Sequence, residues 1–71
     1  MNHSTAGEVV EMVLRHAKEL RESVHRVRDS EPRENVDRYR DAVAKILEDI
    51  LFEILNPIFA EHPDLKPPKM L

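Results

Sequence analysis

The sequence predicts an all-α fold: an antiparallel two-helix hairpin with a short third helical turn, pairing with itself into a four-helix bundle. Three observations carry this expectation. Ala6, Val10, Val13, Ala17, Leu20, Val24 and Val27 recur at alternating spacings of 4 and 3, an unbroken a/d repeat. Asp29-Ser30-Glu31-Pro32 then interrupts the pattern. Residues 43–59 hold more apolar side chains than a single neighbouring helix covers.

The first helix is expected from about Thr5 to Val27 or Arg28. Thr5 and Glu8 have the spacing of a capping box, with Ser4 as a rival cap one residue earlier. Glu11 with Arg15, Lys18 with Glu22, and Glu22 with Arg26 stand at i,i+4 on the outer face. The stripe is rich in alanine and valine, so a neighbouring helix approaches closely but little apolar area is buried.

Pro32 ends this helix and starts the next. Proline lacks the amide a helix interior needs and disfavours α geometry in the residue before it, yet it suits a first turn. Arg26 and Arg28 sit where cations favour a helix C-terminus; Glu31 and Glu34 sit where anions favour an N-terminus. So short a connection makes the helices antiparallel neighbours. A single long helix kinked at Pro32 is the alternative, because no glycine marks a turn there.

The second helix is expected over residues 32–55. Its apolar positions are sparse at first and then crowd together. Leu47, Ile50, Leu51, Phe52, Ile54, Leu55, Ile58 and Phe59 are the expected interface with a second copy. Glu53 falls at the rim of that arc. Asn56-Pro57 ends or kinks the helix, with a short extra turn through Ala60. Residues 1–5 are expected to fray and residues 6–60 to form the hairpin. Residues 61–71, with Pro63, Pro67 and Pro68, make an extended tail, either a short linear motif or an end pinned by Leu65.

Seventy-one residues allow one domain, and chains so short often need a disulfide, a metal or a partner subunit to supplement their core. There is no cysteine, which removes disulfides and thiolate metal sites. Acidic residues break the apolar run too often for a membrane span. No secretory h-region is visible, so the expected location is the cytoplasm.

The net charge of −3 resides in residues 41–71; residues 1–40 balance. The arginines around the turn alternate with acids, a mixed surface and not the one-sign field that nucleic acid selects. Glu22 and His25 have the Glu-x-x-His spacing of carboxylate-bridged metal sites in bundles, but the a/d phase turns both away from the seam. His16 flanks the seam. No nucleophile–base pair and no glycine-rich loop is present.

The expectation is therefore a small homo-oligomeric protein–protein interaction module. It is not an enzyme, uses no cofactor, and binds itself and an unidentified protein. A carboxylate/histidine metal-binding bundle and an arginine-dependent nucleic-acid-associated regulator are the alternatives.

Overall fold

A computed structural model describes residues 1–68. Among these the chain is all-α, a helical hairpin whose second arm is bent. Helix α1 spans His3–Ser30 and α2 spans Arg33–Asp49. A wide π-helical turn, Ile50–Leu55, carries the second arm into α3, Asn56–Glu61. A 3-10 turn, Pro63–Leu65, follows.

Helix α1 starts earlier than the capping-box pattern implies. Asn2 has extended geometry, and its side-chain oxygen accepts the Thr5 amide at 2.8 Å. Asparagine is as good an N-cap as serine or threonine. With Asn2 taking that role, Ser4 and Thr5 fall inside the helix. The three i,i+4 pairs expected on α1 are also absent from the ion pairs that form. The pairs on α2 instead join Arg40 to Asp37 at 3.0 Å and Arg33 to Asp37 at 4.0 Å.

The turn needs only Glu31 and Pro32, both in extended conformation. The residue before proline favours that geometry. The Glu31 amide closes α1 on Val27 O at 2.9 Å, and the Asn35 side-chain amide donates to Glu31 Oε1 at 3.1 Å. Neither residue needs a positive φ. That is why a hairpin forms here without glycine, and the single kinked helix is not observed.

The second arm continues past Pro57. Asn56 is helical, at φ −58° and ψ −44°, and is no cap. Two physical reasons favour the wide turn before it. Proline cannot donate to the carbonyl four residues back, and its ring crowds that carbonyl; a wider turn relieves the conflict. Regular winding at about 100° per residue would also set Leu55 about 120° from Val43. Slower winding brings it back to the α1 side, and the Asn56 amide bonds Leu51 O, five residues back.

The core lies at the open end of the hairpin. Ala6, Val10 and Val13 of α1 meet Leu55, Ile58 and Phe59, with Val9, Leu14, Ile50, Leu51 and Leu65 packed around them. Toward the turn the seam thins to Ala17, Val36 and Val43. There Ser23 Oγ donates to Leu20 O at 2.6 Å and contacts Tyr39 Oη at 2.7 Å. A serine hydroxyl has one proton, so Tyr39 is the donor between the arms.

The chain is a single layer of helices. Its extents are 44 × 20 × 16 Å. The smallest is well short of two helix diameters of roughly 10–12 Å each. The radius of gyration, 14.4 Å, exceeds the ~11 Å expected of a compact domain this long.

Candidate interaction surface

One side of the layer carries a continuous groove between the arms. Its central part, about 220 Å³, is lined by Leu14, Ala17, Leu47, Ile50, Leu51 and Leu55, with Arg21 the one charged residue. The next part, again about 220 Å³, adds Val24, His25, Arg40, Val43 and Ala44 to Arg21 and Leu47. A third part at the turn, about 350 Å³, is lined mostly by charged residues, Arg28, Glu31, Arg33, Asp37 and Arg40, with Val36. Apolar floor thus gives way to charge as the groove nears the turn. Asp37 holds both Arg33 and Arg40, so the basic field there is partly neutralised.

The expected interface residues divide into three groups. Leu55, Ile58 and Phe59 are buried in the chain's own core. A helix inside the hairpin, α1, takes their apolar surface before any second copy does. Leu47, Ile50 and Leu51 are half-buried along the groove. Phe52 and Ile54 are exposed, at 59% and 39%, and Ile46 joins them at 47%. Ile46 was not among the expected interface residues, although it stands in the same apolar run.

Glu22, His25 and Glu53 are exposed. His16 is exposed too, its Nδ1 2.8 Å from Met12 O. Among the described residues no group of three or more His, Asp or Glu side chains is arranged to hold a metal ion. No helix there is long and apolar enough to cross a membrane.

The two ends of the chain meet beside the core. The Met1 ammonium donates to Glu61 Oε1 at 3.1 Å. His3 Nε2 lies 2.7 Å from Asp64 Oδ2, and His62 Nε2 lies 2.9 Å from Met1 O. The two imidazoles stack edge to face, 5.2 Å apart. Leu65 sits over Gly7, its Cδ2 3.9 Å from where a Cβ would stand. Helix α1 therefore begins at His3 beside a held terminus, where fraying was expected. The expected tail is fastened as far as Leu65. The candidate motif, Leu65-Lys66-Pro67-Pro68, lies within the described residues; residues 69–71 lie outside them.

This clasp has a pH dependence. The hydrogen bond and charge of the Met1 ammonium hold the Glu61 carboxyl below its usual range. The hydrogen bond from His3 does the same for Asp64, against a smaller opposing effect of desolvation. A depressed folded-state value means the stabilisation is present above the unfolded pKa, near about 4, and is lost as pH falls through the folded value. Protection of the amides in residues 1–6 and 61–65, relative to the intrinsic exchange rate at each pH, is therefore expected to fall below about pH 4, ahead of the helical core. Hydrogen exchange followed by NMR checks this; a uniform loss of protection along the chain would contradict it.

Comparison with known proteins gave no match: no family model, no curated protein and no solved structure is similar to this chain.

Proposed function

We propose that the protein is a self-pairing helical hairpin, a homodimeric four-helix bundle in the cytoplasm that works by binding another protein. The observation that carries this reading is the single layer. Domains are built from two or more packed layers around a core. Here both faces of one layer meet solvent. The chain exposes 5424 Å². That is about 800 Å² more than the ~4,600 Å² size scaling gives a compact monomer of this mass. A standard interface buries about 800 Å² on each partner. Phe52, 59% exposed, is the kind of aromatic anchor that such interfaces enclose.

Sedimentation equilibrium at micromolar concentration is expected to give a dimer, with a melting temperature that rises with protein concentration because folding and assembly are linked. Phe52→Ser is expected to yield a helical monomer, since Phe52 contributes little to the core of one chain. A wild-type chain that sediments as a monomer, with a concentration-independent melt, would overturn the proposal.

A further inference from the structure

The grooved face carries a stripe of side chains on each arm. On α1 the stripe is Leu14, Lys18, Arg21 and His25, at spacings of 4, 3 and 4. Leu14, Arg21 and His25 line the groove, and Lys18 stands between the first two. On the other arm the stripe is Asp41, Ala44, Glu48 and Phe52, at spacings of 3, 4 and 4. Ala44 lines the groove, and helical spacing sets Asp41 and Glu48 on its outer side. The α1 stripe is basic with an apolar end; on the other arm Asp41 and Glu48 are acidic with an apolar end, and Arg40, which lines the groove beside them, is held by Asp37. None of Lys18, Arg21, Asp41 and Glu48 is in an ion pair among the described residues.

The arms are antiparallel, so the two stripes run in opposite directions. The Ser23–Tyr39 hydrogen bond fixes their relative height. Counted from it, Leu14, Lys18 and His25 lie within about one helical turn of the heights of Phe52, Glu48 and Asp41 respectively. Side chains also lean toward the N-terminus of their own helix, which brings Lys18 and Glu48 toward each other's height.

A second copy can cover this face about either of two symmetry axes. An axis perpendicular to the helices lays α1 on α1 and α2 on α2. Basic flank then meets basic flank, and acidic meets acidic. An axis parallel to the helices lays α1 of each copy on α2 of the other and leaves every height unchanged. Basic flank then meets acidic flank, and Leu14 meets Phe52.

We infer that the occupant of this groove is a second copy of the chain, docked about an axis parallel to the helices, with Lys18 facing Glu48 and Leu14 facing Phe52 across both symmetric contacts. The inference rests on the dimer proposed above and adds its register. Flanking charges of this kind set partner orientation in helical assemblies, and the wrong register is penalised by like charges.

Charge exchange tests it. Lys18→Glu and Glu48→Lys are each expected to weaken dimerisation about tenfold, because each alters two contacts of the symmetric dimer. The double variant is expected to return to within about threefold of wild type, since the exchanged pair is restored. The single-variant effects should shrink in high salt. Disulfide formation under oxidised glutathione gives an independent measure. A mixture of Lys18→Cys and Glu48→Cys chains, which keep Phe52, is expected to cross-link as the heterodimer, and Lys18→Cys alone is not. A dimer insensitive to either exchange, or one that cross-links through Lys18→Cys alone, overturns this register while leaving the dimer standing. A wild-type monomer overturns both.

Discussion

Replacing Leu55 by alanine is expected to unfold the protein at room temperature. Leu55 is 2% exposed and sits among Ala6, Val10, Val13, Ile58 and Phe59. Truncating a buried leucine costs about 2–5 kcal/mol, the transfer term plus a cavity. Whole domains have only about 5–15 kcal/mol of net stability, and short chains lie at the low end. Ile54→Ala, at a side chain 39% exposed, is expected to cost about 1 kcal/mol or less in the monomer. Urea denaturation followed by circular dichroism separates the two. Equal losses would mean that the wide turn presents a different face to α1.

Ending the chain after Asn56 is expected to be at least as damaging. It removes Ile58 and Phe59, each 6% exposed, together with Leu65 and the acids that hold Met1 and His3. Two large core side chains at roughly 2–5 kcal/mol each exceed what a chain of this size has in reserve. The truncated protein should show little helix by circular dichroism and should scatter light, because Val10 and Val13 are left uncovered. Full helix content in that truncation would place the core toward the turn and not at the open end.

Much of this fold is legible in the sequence. The a/d repeat of α1 identifies Ala6, Val10, Val13 and Ala17, and all four are buried. Pro32 marks the turn to within a residue. The wide turn is not legible, for a physical reason. Ile50, Leu51, Phe52, Ile54 and Leu55 are apolar in every helical phase, so no periodicity separates regular winding from slower winding. The Asn2 cap is a matter of competition: Asn2, Ser4 and Thr5 are all good caps, and only the folded geometry chooses. The clasp between the ends joins residues 60 and 61 positions apart, a distance at which local pattern carries no information. The candidate interface is partly legible. Apolar excess in residues 43–59 shows that more than one neighbour is needed, but not that α1 claims Leu55, Ile58 and Phe59 first.

Because the turn from Ile50 to Leu55 winds slowly, it holds about one residue more than an ordinary helix of the same rotation would. It has the shape of an absorbed insertion. Regions of a helix before and after such a swelling keep the faces they would have had without it. The surplus falls where Phe52 and Glu53 meet solvent, so the extra length is carried outward and the seam with α1 is undisturbed. In a helix core, length is ordinarily the least negotiable property, since one residue gained or lost turns everything beyond it by about 100°. At this point the second arm is indifferent to that count. A chain one residue shorter here would still offer Leu55, Ile58 and Phe59 to α1, through regular helix, at the loss of one outward-facing side chain and with the Pro57 ring again crowding the carbonyl four residues back.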